Sequence, residues 1–201
     1  MLKQFKELFN RHAALISELR ARHEGRPYHN WNHILAILYL ASKHPHLIND
    51  IEAFFWMAVF HDLIYRSDRQ DNEEKSAAAA QESLIALISE ARLTLVCLGI
   101  SATAKHQVPE GLSPAETQDI AFFLDCDLAI LGTDSETFST YDAAIREEYA
   151  WVPEPQWRSG RAGVMKNFLG RDPLYFTAEM RKEFEASARY NMKALIKELS
   201  A

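Results

Sequence analysis

Cysteine is nearly missing from the sequence, with Cys97 and Cys126 the only two. Two thiols cannot build a disulfide framework, and neither stands in a Cys-x-x-Cys motif of the kind used for zinc or redox work, so both read as buried or incidental. An excess of positive charge is missing too. With 22 Lys plus Arg against 28 Asp plus Glu, the formal charge of −6 gives no global field toward a nucleic-acid polymer or an anionic membrane, although a local basic pocket stays open. Long hydrophobic runs are absent. The apolar stretch from Ala53 to Phe60 is far too short to span a bilayer, and the opening Met-Leu-Lys-Gln-Phe-Lys-Glu lacks a continuous signal-peptide core, so a cytoplasmic protein is expected. The chain also has no Gly-rich phosphate loop, no His-Glu-x-x-His zinc helix and no Gly-x-Ser-x-Gly nucleophile elbow.

What is present is 48% apolar residues in 201, enough for one sizeable core or at most two small ones. Only seven glycines and seven prolines interrupt the chain, and between them apolar residues recur at spacings of three and four. The pattern predicts an all-α protein, a compact single-domain helical bundle, with no linker or fixed repeat and only a short alanine run at 77–80. A first helix is expected over about 2–23, with Phe5, Leu8, Phe9, Ala13, Leu15, Ile16 and Leu19 inward and Gly25 and Pro27 ending it. A second begins near Asn30 and ends before Pro45. A third, over about 50–65, is apolar nearly all round and is expected at the centre of the bundle. Asn72 is read as the cap of a helix opening on Glu73-Glu74 and reaching about residue 89, followed by one over about 94–106. Ser113-Pro114-Ala115-Glu116 is a capping box with proline at the first helical position, starting a helix toward Leu131 that Gly132 stops. Helices at about 135–151, 155–169 and 177–199 complete the reading.

Four polar features interrupt these helices: Tyr28-His29-Asn30-Trp31-Asn32-His33, His61-Asp62, Lys105-His106 and Asp125-Cys126-Asp127. A carboxylate beside a histidine at the end of a buried helix is costly to desolvate unless it is paired or bound to a metal. Two imidazoles with two carboxylates suit a divalent first-row ion and leave positions open for water and a phosphate oxygen. His33, His61, Asp62 and Asp127 are the candidate set. Asp125 and Asp127 lie two apart, so on a helix they diverge by about 200° and only one can readily face a given ion.

The order His, His-Asp, Asp, each on a separate expected helix behind a Tyr-His-Asn-x-x-His-Ile opening, resembles the HD superfamily of metal-dependent phosphohydrolases. The chain looks like the small bacterial predicted phosphohydrolases within it, through Tyr28 to Ile34, Phe60-His61-Asp62-Leu63-Ile64-Tyr65, Asp71 to Ala77, Ala143 to Tyr149, and Gly160-Arg161. These stretches cover about 28–161. The resemblance implies a metal-site core over about 28–132 and a C-terminal helical extension over about 133–201. It implies His33, His61 and Asp62 as ligands and Asp127 as the last, since Asp127-Leu128-Ala129 resembles the stretch at that position in related cyclic-nucleotide phosphodiesterases. Asp125 then supports a ligand or caps the helix.

By the same resemblance His29 is the proton donor to the leaving oxygen, a role suited to a group titrating near neutrality; its alternative is to hydrogen-bond the loop before the second helix. Glu73 or Glu74 could orient or deprotonate the nucleophile, or simply complement the helix dipole. Lys105 and His106 are candidates for substrate phosphate, with a favourable place at a helix end as the alternative. Arg66, Lys75, Arg146 and Arg161 are cations that could grip phosphate, the last two with the better case through the resemblance; surface ion pairs are the alternative. His12, His23, His44 and His46 read as surface or loop residues. The expected activity is hydrolysis of a phosphate ester of a nucleotide or another small metabolite by water activated at a divalent ion, whether Mn, Fe, Co, Ni, Zn or Mg. The alternative is a non-catalytic, metal-containing module that binds a nucleotide or phosphate and regulates.

Overall fold

The computed structural model describes residues 1–200. Among them the regular structure is wholly helical, so the protein is all-α as the spacing predicts. The helices are α1 (Lys3–Arg11), α2 (Ala13–Arg22), α3 (Trp31–Ala41), α4 (Ile51–Phe60), α5 (Asn72–Leu84), α6 (Glu90–Ala102), α7 (Pro114–Leu128), α8 (Ser135–Glu148), α9 (Glu154–Leu169) and α10 (Ala178–Leu199). Single 3-10 turns occur at Pro45–Leu47 and Ala129–Gly132. No helix among the described residues is long and apolar enough to cross a membrane. The chain divides into two compact units, Met1–Cys126 and Asp127–Ala201.

In the first unit α4 packs against α1, α3, α5 and α6. All eight residues from Ala53 to Phe60 are buried, which is why the helix shows no polar face. Asp50 caps its start by accepting from the Ala53 N–H at 2.9 Å. Phe54 sits among Phe5, Phe122 and Phe123, with ring centres 5.6 to 6.3 Å apart. α6 approaches α4 closely at Gly99, where a Cβ would lie 2.4 Å from the Met57 sulfur. Buried Asp119 on α7 accepts from the Asn49 and Asp50 N–H groups at 2.6 and 2.9 Å, satisfying donors just ahead of α4.

The capping box forms as expected. Glu116 accepts from the Ser113 N–H at 2.8 Å, while Ser113 Oγ accepts from the Glu116 N–H at 3.3 Å. Three expectations need correction. The single first helix is broken at His12, which adopts ψ +29° and sets its ring edge-on to Trp56 at 5.1 Å; Ala13, expected inward, is exposed after the break. Asn72 does not cap α5 but is its first residue, and its side chain grips Arg66, accepting from the N–H at 3.1 Å and donating to the carbonyl at 2.9 Å. The helix expected over 94–106 runs instead from Glu90, capped by Ser89, to Ala102, so Lys105 and His106 lie in the turn beyond it.

In the second unit α9 and α10 pack together, and α8 and α10 both meet the Ala129–Gly132 turn. Buried Asn191 donates to the Leu131 and Thr133 carbonyls at 3.0 and 2.9 Å, fixing α10 to that turn.

Candidate metal centre

α3 and the end of α4 bring the site together. Asn30 starts α3 by accepting from the Asn32 N–H at 2.8 Å, which places His33 in the first turn. α4 ends at Phe60, so His61 follows on its last turn with a helical backbone and Asp62 stands just beyond. His33 Nε2 lies 3.2 Å from His61 Nε2, and Asp62 Oδ2 lies 2.8 Å from His61 Nε2 and 3.8 Å from His33 Nε2. These ligand atoms all fall within 4.8 Å of one another, and the group could hold a metal ion.

The far sides of both rings are tethered. His61 Nδ1 meets the Ala58 carbonyl at 3.0 Å, and His33 Nδ1 meets the Tyr28 hydroxyl at 3.2 Å. A carbonyl can only accept, so His61 Nδ1 carries a proton and Nε2 is the atom that faces the cluster: protonated, it donates to the Asp62 carboxylate; deprotonated, it offers the lone pair a metal-binding imidazole requires. Burial opposes ionisation of Asp62, but the charges of His61, His29 and His33 and the hydrogen bond from His61 outweigh it and hold the carboxyl well below the usual carboxylate range. Two imidazole nitrogens and an ionised carboxylate form a donor set that suits divalent first-row ions.

His29 precedes α3, and the turn brings its ring 6.2 Å from that of His33. It stacks on Tyr65 at 3.9 Å and 27°. Arg26 and His23 escaped sequence reasoning. The Arg26 guanidinium donates to the His29 carbonyl at 3.2 Å, to the Leu63 carbonyl at 2.8 Å and to the Asp62 carbonyl. The one signal available was its position just ahead of Pro27-Tyr28-His29. His23, expected at the surface, is fully buried, its ring edge-on to Trp31 at 5.7 Å and 3.5 Å from Arg26 Nη1. His12 and His44 are half-buried and His46 is exposed.

The other candidates are placed as follows. Glu73 and Glu74 open α5 and line a groove of about 360 Å³ with Gln70, Gln81, Cys97 and Ser101; neither belongs to the group of converging ligand atoms. Lys105 is exposed and His106 half-buried, with His106 in the left-handed region at φ +46°. Arg66 pairs with Asp68 at 2.7 Å and Lys75 with Asp71 at 3.5 Å, both at the surface. Asp125 is buried on α7 and Asp127 is half-buried on the last turn of the same helix; neither belongs to the group of converging ligand atoms.

Arg146 and Arg161 lie in the second unit. Arg146 donates to the Tyr149 and Val152 carbonyls at 2.7 and 3.2 Å, pairs with Glu154 at 3.2 Å and lies over Trp157. Arg161 is buried and donates to Asp142 at 2.8 Å. Burial works against its charge, but Tyr141 and Asp142 more than offset this and raise its pKa. Compared with known proteins, the chain matches no family model, no curated protein and no solved structure.

Proposed function

We propose that this protein is a metal-dependent phosphohydrolase of the HD type, acting on a phosphate ester of a nucleotide or another small metabolite. The observation that carries the reading is the convergence of His33 Nε2, His61 Nε2 and Asp62 Oδ2 from two helices, with the Nδ1 atoms of both rings tethered behind. A half-buried carboxylate and two buried, oriented imidazoles are costly to gather without a purpose, and three protein donors leave coordination positions open for water and substrate. A divalent ion bound there supplies Lewis acidity, polarising a phosphoryl oxygen and acidifying water.

In this reading His33, His61 and Asp62 hold the ion, and Asp62 stays ionised through neutral pH because the surrounding imidazoles favour its charge. His29, stacked on Tyr65 beside the His33 ring, donates the proton to the leaving oxygen. The ligand role of Asp127, the base role of Glu73 or Glu74 and the substrate contacts of Lys105, His106, Arg146 and Arg161 rest on the resemblance. The Arg146 and Arg161 contacts inside the second unit favour positioning there over phosphate binding.

Elemental analysis of the purified protein tests the reading, together with hydrolysis of p-nitrophenyl phosphate, bis(p-nitrophenyl) phosphate and nucleotides with added Mn, Co, Ni, Zn or Mg. Near-stoichiometric metal and metal-dependent turnover are expected, both lost in Asp62→Ala while helical circular dichroism persists. Full metal stoichiometry in Asp62→Ala sinks the ligand assignment. Bound metal without turnover on any substrate moves the protein to the regulatory binding-module class.

A further inference from the structure

We infer that Arg26 is a positioning residue for His29, holding the proposed proton donor against the metal-ligand corner; this rests on the functional role proposed for His29 and goes beyond it. Gly25, at φ +79°, turns the chain three residues after α2 ends at Arg22, and Pro27 follows, so Arg26 stands at a bend ahead of the Tyr28-His29-Asn30 loop. Its guanidinium reaches two adjacent carbonyls 36 and 37 residues further along the chain, those of Asp62 and Leu63. These carbonyls follow the C-terminal end of α4, where helix geometry leaves oxygens without intrahelical partners and where a cation is favoured. The same Nη1 that donates to Asp62 also donates to the His29 carbonyl at 3.2 Å, so one planar group fixes the donor loop to the ligand turn.

A second contact acts on the ring itself. The Arg26 guanidinium lies 6.0 Å from the centre of the Tyr65 ring, and Tyr65 is the surface on which the His29 imidazole stacks at 3.9 Å. His29 is therefore held at its backbone by the fork and at its ring by Tyr65. Arg26 itself is held, since Asn30 Nδ2 donates to both the Arg26 and Pro27 carbonyls at 3.0 Å. Lysine would keep the charge but not the planar fork, so charge and geometry can be separated by substitution.

Arg26→Lys in the full chain is the test, read by NMR of the histidine Hε1 signals in metal-free protein, by metal stoichiometry, and by kcat and KM on bis(p-nitrophenyl) phosphate. The expected result is retained fold and metal stoichiometry, a His29 signal that moves or broadens as its stacking loosens, and kcat reduced roughly 10- to 100-fold at little-changed KM. Should Arg26→Lys fail to fold, Arg26→Gln keeps one donor and removes the charge and the fork, with the same His29 shift and kcat loss expected. A His29 signal unmoved in the folded variant, or kcat within about twofold of wild type, overturns the positioning role. Failure of the phosphohydrolase reading is seen separately, as a wild-type protein with no turnover, and the metal-free NMR arm still decides whether Arg26 holds His29.

Discussion

His23 makes acid a specific destabiliser of the metal-free protein. Its ring is buried against Trp31 and next to the Arg26 guanidinium. Burial, then the charges of Arg26 and His61, pull its pKa from 6.5 to about 4, against a smaller opposing pull from Asp62 and the Val59 carbonyl. The folded protein thus refuses a proton that the unfolded chain accepts once pH falls below about 6.5. Stability contributed by neutral His23 is fully present above that pH, declines as pH falls toward about 4, and changes no further once both states are protonated. At roughly 1.4 kcal/mol per pH unit, the gap amounts to about 3 kcal/mol, a large share of the stability of an ordinary domain. His23→Gln keeps a hydrogen-bonding side chain and cannot titrate. Urea unfolding of both proteins in chelator between pH 7 and pH 4 isolates the effect, because all other titrating groups are shared. Wild type should lose about 3 kcal/mol more than His23→Gln over that interval. Parallel losses within about 0.5 kcal/mol, or a His23 ring that titrates near 6.5 by NMR, would refute the reasoning.

Two further predictions concern stability. Gly132→Ala should destabilise by about 1–3 kcal/mol, because a Cβ there lies 2.6 Å from both Cβ and the carbonyl oxygen of Phe184 and no rotamer change can relieve it; Gly163→Ala on α9 meets nothing within 4 Å and should stabilise by about 0.5–1 kcal/mol. Opposite shifts in thermal midpoint check the pair, and shifts of the same sign contradict it. Asp119→Ala should cost about 2–5 kcal/mol by leaving the Asn49 and Asp50 N–H groups without their acceptor, measured by urea denaturation; a loss below about 1 kcal/mol would mean water replaces the carboxylate.

Local chemistry made several features legible in advance. The unbroken apolar character of residues 53–60 announced a helix buried on every side, and α4 is one. The Ser113 to Glu116 spacing announced a reciprocal cap that spans only four residues and forms as expected. The helical stretches at 135–151, 155–169 and 177–199 lie within a few residues of α8, α9 and α10. Contacts that cross the sequence were not legible. Nothing around His12 signals the break between α1 and α2, because apolar periodicity continues through it and the contact to Trp56 comes from 44 positions away. Asn72 carried every mark of a cap, yet its amide serves the Arg66 backbone, since a short polar side chain fits either role and the fold selects one.

The sequence by itself determined the all-α class, the main helices and the pairing of His33 with His61-Asp62, because helix periodicity and the cost of burying a charged dipeptide are written in neighbouring residues. Only the tertiary structure decided which imidazole nitrogens face the carboxylate, that His23 is buried, and that Arg26 clasps the turn after α4. Those outcomes depend on where one segment lies against another about 30 to 40 residues away, and local pattern carries no information on that placement until the core has packed.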